Sequence, residues 1–360
     1  MIRTELCDML GMKHPIIQAG MGPYSTNNLA AAAANAGALG IISTSGLALG
    51  MGEMITGGEK GTTYELLKRL LIRIKEETKE SKGIFGINCM VSAEFTQPAR
   101  EIIQAVIDAR NEDPEMRERL RVIITSAGDP LPWTETIKPS GVKWFHVVPS
   151  ARHAKRCERA GVDVIIASGH EGGMHIAWEP VHTMVLLPAV VNAVSTPVVG
   201  AGGFCDGATL TAALALGAVG VQMGTRFLAT KESDFMQMWK DRILKSGERD
   251  TTVARGIVGP ARYLKNEASL ELTEITVRKA PGLFLGQPDD LATVAPEVMS
   301  KEMEGFIATF AGDEKRALMG GGEVAGRIED LPTVVELIEG IIREAEEIIS
   351  RLPERIGGEK

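Results

Sequence analysis

The sequence predicts a closed (β/α)8 barrel, the TIM-barrel architecture, with a mostly helical C-terminal cap. Three observations point there. Eight short apolar, β-branched runs each end in a Gly- or Ser-rich turn. Segments with helical spacing lie between most of them. Several runs, DVIIA and RVIIT among them, are apolar on both faces, as parallel strands buried between helices must be.

Taken in order, the expected strands are Pro15–Gln18, Leu39–Ile42, Ile84–Cys89, Arg121–Thr125, Lys143–Val148, Asp163–Ala167, Pro197–Val199 and Gly220–Met223. The helices expected between them include the Ala-rich Leu29–Asn35, Tyr64–Lys79 with a charged outer face, Ala99–Arg110, Ala151–Ala160, Val181–Val194 and Gly207–Leu216. The fourth crossover, Leu131–Lys138, is short and Pro-flanked. Eight strands are the number that closes with side chains filling the interior, so the barrel is favoured over an open sheet. An eighth helix is expected from near Glu232 to Leu244. Beyond it, Thr251–Leu272 shows no strand–helix alternation. Lys279–Pro296 reads as a loop over the barrel mouth, Glu302–Met319 as a helix and Gly320–Gly326 (GGGEVAG) as a tight turn. Val334–Arg351 has the pattern of an amphipathic helix. Residues 1–235 are therefore assigned to the barrel and 236–360 to the cap.

The bulk properties agree. The chain has 360 residues, and such a barrel takes roughly 250, which leaves room for a cap. Hydrophobic residues are 44% and aromatics only 4%, which suits tightly packed helices and turns. A net charge of -8 and a pI near 5.5 argue against a nucleic-acid partner or an anionic membrane surface. The four cysteines, Cys7, Cys89, Cys157 and Cys205, form no C-x-x-C pair. They read as reduced thiols of a cytoplasmic protein. The first ten residues carry acidic side chains and do not read as a secretory signal. No apolar run is long enough to span a bilayer. The apolar stretch Met184–Val194, broken by Pro188 and Asn192, is expected to be a buried helix.

Chemistry in such barrels sits at the C-terminal ends of the strands. After the seventh strand comes Ala201-Gly202-Gly203-Phe204; after the eighth, Gly224-Thr225-Arg226-Phe227. Glycines let backbone N–H groups approach phosphate oxygens, a helix N-terminus adds partial positive charge, and Thr225 offers a hydroxyl. Two such loops after adjacent strands point to a phosphate site. The first strand runs into Ala19-Gly20-Met21, small enough for backbone to lie along a flat ring. The third carries Asn88, whose amide both donates and accepts. The sixth leads into Ser168-Gly169-His170-Glu171-Gly172-Gly173-Met174-His175, the densest signal in the chain. A neutral imidazole there exchanges protons near physiological pH, and His175 is the candidate acid or base. His170 reads as a loop residue, and Glu171 is expected to orient the loop. His170, His175 and His182 fit no standard zinc spacing, so no metal site is expected.

These residues carry a resemblance. PIIQAGMG, GINCMV, VDVIIASGHEGGMH, VVGAGGFCDGATLTAALALGAVGVQMGTRFLATKES and VGPARYLKN resemble the nitronate monooxygenase (2-nitropropane dioxygenase) family, which includes the FMN-dependent enoyl-ACP reductases of type II. The resemblance spans nearly the whole chain and implies an FMN flavoprotein. The phosphate would rest on Gly202, Gly203, Gly224 and Thr225. The isoalloxazine ring would lie over Ala19, Gly20 and Met21, with Asn88 and Gln222 at its polar edge. Ser168, Gly169 and Gly173 belong to the same cofactor face. His175 matches the histidine that closes the family's E-(A/S)-G-G-H motif and handles the substrate proton. Three departures stand out. Met174 replaces a glycine of that motif, which is expected to narrow the pocket. GGGEVAG differs from the usual A-G-Q-x-A-G loop that returns to the flavin. Val147 stands where some nitronate oxygenases carry lysine.

Three readings follow. The first is a nitronate monooxygenase-type oxidoreductase, in which a small substrate such as an alkyl nitronate reduces FMN and dioxygen reoxidises it. The second is an enoyl-thioester reductase with NADH or NADPH as transient donor. The third is a flavin-free phosphate-binding lyase or isomerase. The cap and C-terminal helix are compatible with a homodimer, and no docking patch for an acyl carrier protein is marked.

Overall fold

The structure is a computed structural model that describes residues 2–289 and 296–357. Its strands are β1 (Ile16–Gln18), β2 (Gly40–Ile42), β3 (Phe85–Met90), β4 (Leu120–Ser126), β5 (Lys143–Val148), β6 (Val164–Ser168), β7 (Met174–His175), β8 (Val198–Ala201), β9 (Gly220–Met223), β10 (Thr251–Arg255) and β11 (Pro260–Leu264). Eight of them form one parallel sheet in the order β1-β9-β8-β6-β5-β4-β3-β2. A parallel bridge between Ile17 and Leu39 brings the two ends together. The expected TIM barrel is present, with all eight predicted runs as its staves.

Alternation along each strand sorts the core. Ile17, Ile41, Val122, Ile124, Phe145, Val164, Ile166 and Val199 fill the interior. Their neighbours Ile16, Ile42, Ile123, Trp144, Ile165 and Val198 pack outward against the helices. The helix Glu5–Leu10 adds Leu6, Cys7 and Leu10 to the interior cluster. The Thr4 hydroxyl donates to Val219 O at 2.5 Å, just before β9, so this helix closes the N-terminal end of the barrel. The opposite end is left for chemistry. All four cysteines are free and buried.

The eighth ring position differs from the expectation. A helix does follow β9, at Gln237–Leu244, but its Trp239 and Ile243 pack with Met319, Val324 and Ala325 of the cap. The ring position is taken by the helix Val334–Ile356, which lies against Gly207–Ala215 on one side and Asn27–Asn35 on the other. Its Leu337, Ile338, Ile341, Ile342 and Ala345 join the barrel's outer core. Those five positions share one face of a helix. The residues between β9 and this helix are thus an insertion into the last βα unit.

That insertion holds strands that hydrophobic patterning alone did not reveal. β10 and β11 pair antiparallel, and β11 pairs in turn with β7, which belongs to the loop after β6. The helices Glu267–Lys279 and Pro296–Ala311 pack around this sheet. The expected mouth loop Lys279–Pro296 begins with a tight turn at Pro281–Leu285, and its residues 290–295 lie outside the described residues. The apolar helix after β7, Thr183–Val191, is buried through Thr183, Leu186, Leu187 and Val190; Met184 and Val185 are largely exposed. Among the described residues no helix is long and apolar enough to cross a membrane.

Candidate active site

At the C-terminal ends of β8 and β9 the two glycine loops lie side by side. Gly202 and Gly203 both sit at φ +83, a left-handed conformation that side chains resist. A Cβ on Gly202 would also lie 2.8 Å from Gly169 O. Among the described residues, the N–H groups of Gly202, Gly203 and Gly224 have no internal acceptor. Thr225 opens a short helical turn, and its hydroxyl accepts from Gly322 N at 2.9 Å. That bond leaves the hydroxyl proton available.

Gly322 belongs to the GGGEVAG turn, so the turn returns to the glycine loops. It is also fastened to the loop after β6. A Cβ on Gly173 would lie 2.7 Å from both Gly321 C and Gly322 N, and Glu323 N donates to Glu171 O at 2.9 Å. Only glycine on both sides permits that approach. The Glu171 carboxylate accepts from Thr183 N at 2.9 Å and from the Thr183 hydroxyl at 3.0 Å, which ties this loop to the next helix. The expectation that Glu171 orients the loop agrees with these bonds.

On the β1 side, Gly20 fits because a Cβ there would lie 2.9 Å from Asn88 Cγ. Asn88 Nδ2 donates to Gly20 O at 3.2 Å, and Asn88 Oδ1 accepts from Thr44 N at 2.9 Å. The Asn88 amide therefore fastens the loops after β1 and β2 to β3. Beneath them, Gln18 is fully buried; its Oε1 accepts from Ile41 N at 2.8 Å and its Nε2 donates to Ala19 O. Met21 reaches across to Gly224, where a Cβ would meet its Sδ at 3.2 Å. Gln222, at the end of β9, has a buried Oε1 with no partner.

His175 is presented by β7, which the hairpin strand β11 holds in register opposite Ala261. Strand alternation sends Met174 and His175 to opposite faces. Met174 turns into the cap, where it packs with the cluster of Ala254, Ala261, Tyr263 and Leu318. A Cβ at Gly320 would overlap its side chain. This corrects the expectation that Met174 narrows the pocket. Met174 sits at φ +57, so glycine's conformation has been kept while the side chain found room above Gly320. The two departures from the family pattern, Met174 and the all-glycine turn, thus occupy one contact.

His175 is solvent-accessible, and the cap strand β11 runs alongside its backbone. Desolvation there, followed by the field of the Arg255 guanidinium, lowers its pKa to about 4. Its imidazole is neutral at pH 7. His170 Nδ1 is buried without a partner. Burial, Arg262 and His182 lower the His170 pKa to about 4 as well. Among the described residues no cluster could hold a metal ion, and His170, His175 and His182 do not form one.

Several buried polar side chains around the site gave no signal in the sequence. Arg255 is buried, ion-paired with Asp289 at 2.6 Å, and lies 5.1 Å over the Trp178 ring. Glu302 is buried, accepting from the Tyr263 hydroxyl and from Ile257 N. Arg262 donates to His170 O at 2.9 Å and pairs with Glu323 at 3.1 Å, bracing the histidine loop from the cap. In the sequence these are ordinary charged residues of a patternless segment.

The arrangement fits a flat, phosphate-bearing cofactor. It has free N–H donors in two glycine loops, backbone cradles that a Cβ would fill, and an orphaned carboxamide oxygen at a strand end. With a neutral imidazole at the mouth, fold and site define a flavin-dependent oxidoreductase of the barrel class. The chain belongs to the nitronate monooxygenase family, whose model matches residues 3–344. It is 30% identical over 96% of its length, and 96% of the relative's, to a (3aS,4S,5R,7aS)-5-hydroxy-7a-methyl-1-oxo-octahydro-1H-indene-4-carboxyl-CoA dehydrogenase of Rhodococcus jostii (strain RHA1). It is 30% identical to a probable nitronate monooxygenase of Staphylococcus saprophyticus subsp. saprophyticus, over 76% of this chain and 81% of that one. Among solved structures, FabK from Thermotoga maritima superposes with a TM-score of 0.80 at 31% identity, covering 99% of this chain and 100% of that one. Family membership sets aside the flavin-free lyase or isomerase.

Proposed function

We propose that this chain is an FMN-dependent oxidoreductase that works at the carbon next to an acyl-thioester carbonyl, with NADH or NADPH as exchange partner. The observation that carries the reading is His175, neutral at pH 7 and held in register by a cap strand at the end of the glycine-rich loop after β6. The thioester is supported by near full-length similarity to the indene-carboxyl-CoA dehydrogenase, whereas similarity to the nitronate monooxygenase covers less of the chain. Val147, where some nitronate oxygenases carry lysine, agrees.

The cofactor phosphate would be held by Gly202, Gly203, Gly224 and Thr225. Its ring system would face Ala19, Gly20, Met21 and Gln222, with Asn88 keeping these loops in place and Ser168, Gly169 and Gly173 closing the side. Bound there, the flavin supplies hydride transfer. The chain supplies the proton. An imidazole nitrogen of His175 would take the proton α to the carbonyl in the oxidative direction; in the reductive direction the imidazole, neutral at pH 7, would first take up a proton from solvent and then pass it to that carbon. The lowered pKa of His175 keeps it unprotonated at pH 7, the state that proton abstraction next to a thioester carbonyl or a nitro group requires. The family assignment therefore also supports a second reading, oxidation of an alkyl nitronate with dioxygen.

Anaerobic titration of the purified flavoprotein decides. Bleaching of oxidised flavin by NADH or NADPH, with colour restored by crotonyl-CoA, is the expected result. Bleaching by ethylnitronate alone, with no response to nicotinamide, overturns the thioester reading in favour of the nitronate one. A protein that takes up no FMN on reconstitution overturns both.

A further inference from the structure

A cavity of about 470 Å³ opens beside the barrel mouth, between the loops after β3 and β4. That volume falls within the range of small-molecule sites, roughly 300–1,000 Å³. It begins at Val91, three residues beyond Asn88. Val91, Ser92, Thr96 and Arg100 line one wall; Asp129, Pro132, Trp133 and Thr136 line the other. Nothing in the chemistry above uses it.

Its polar groups are unequally spent. Asp129 is neutralised by Arg156, through Nε to Oδ1 at 2.7 Å and a second bond from Nη2 to Oδ2. Arg100 lies 5.9 Å over the Trp133 ring. It has no carboxylate partner among the described residues, so its donors face the cavity unpaired. Ser92 Oγ is buried with no hydrogen-bond partner. Glu94 is the one other acidic residue on the lining. The flanking helix Ala151–Ala160 carries Arg152 and Lys155, both exposed. With Asp129 held by Arg156, Arg100 is the cation of the lining that is left free.

We infer that this cavity binds the phosphoadenosine end of a coenzyme A thioester whose acyl group lies at His175. The inference rests on the thioester reading above. A guanidinium with free donors suits phosphate. The planar Arg100 guanidinium, backed by the Trp133 ring, suits a purine on its outer side, and Thr96 offers a hydroxyl to its sugar and phosphates. Coenzyme A is an elongated molecule with its nucleotide far from its sulfur, so a nucleotide site should lie beside the mouth rather than within it. A pyridine dinucleotide carries the same adenosine and phosphate groups, and the test separates the two.

The holoprotein and its Arg100→Ala and Arg100→Lys variants are titrated with coenzyme A and with NADPH by calorimetry. KM is measured for crotonyl-CoA and for the crotonyl thioester of N-acetylcysteamine, which lacks the nucleotide. Arg100 is exposed, so the fold tolerates its loss. Arg100→Ala is expected to weaken coenzyme A by roughly tenfold or more and to raise KM for crotonyl-CoA but not for the truncated thioester. Arg100→Lys should fall between. Equal coenzyme A affinity in wild type and Arg100→Ala overturns the site, as does no binding by wild type. A loss confined to NADPH overturns it in favour of the dinucleotide. Failure of the thioester reading shows differently: wild type then turns over neither thioester.

Discussion

Replacing His175 by alanine removes the candidate acid or base that β11 holds in register. Flavin content should hold while thioester turnover falls about 10²- to 10⁴-fold. Steady-state rates normalised to flavin absorbance check this, and an unchanged rate removes His175 from the chemistry. The histidines also couple stability to pH. His146, His170 and His175 are each lowered to about 4, burial being the first cause in all three. Unfolded, they titrate near 6.5. Between those values the unfolded chain binds more protons than the native one, so acid favours unfolding. Stability should fall as pH drops from 6.5 toward 4, and this contribution should level off below 4. Urea midpoints at pH 7.0, 5.5 and 4.5 read the slope; a flat profile contradicts it. His146, deep in the barrel beside Thr125, anchors this expectation.

At the scale of elements, the sheet β10-β11-β7 couples barrel to cap, and the contact of Met174 with Gly320 is its tightest point. Gly320→Ala should destabilise by about 1–3 kcal/mol, since a Cβ there overlaps the Met174 side chain. Met174→Gly in the same chain removes the obstruction and the left-handed strain. The double variant should therefore be more stable than Gly320→Ala alone. Thermal midpoints of the four proteins form the cycle, and simple additivity would deny the coupling. The same sheet marks where sequence reading stopped. Barrel strands announce themselves because each apolar run ends in a turn and leads into a helix. TTVAR and PARYL are five residues each, carry buried arginines, and find their third partner in two residues of a distant loop. His175 stood out as a candidate because a histidine in a glycine-rich strand end has few structural reasons to exist. Arg255 was not, because only Asp289 and Trp178 reveal that it is buried. The turn's return to Thr225 was legible only through family resemblance; no local pattern encodes a contact across 97 residues.

For the whole molecule, the ring closes where the helix Val334–Ile356 meets Gly207. A Cβ on Gly207 would lie 2.6 Å from both Ile341 O and Glu344 Cβ. Gly207 N donates to Glu344 Oε2 at 2.8 Å. Gly207→Leu should wedge these helices apart and cost about 3 kcal/mol or more, read as a lowered melting temperature with early exposure of apolar surface. A melting temperature equal to wild type would show that the seam is looser than its geometry implies.

That seam also orders the protein's birth. All eight staves leave the ribosome by residue 223, but the helix that covers the last gap waits until residues 224–333 have been made. Until then the outer faces around Gly207–Ala215 and Asn27–Asn35 lack their cover, and the nascent chain carries an apolar stripe that only its own later residues can hide. The cap is synthesised inside that interval, so this chain builds the roof over its active site before it finishes the wall.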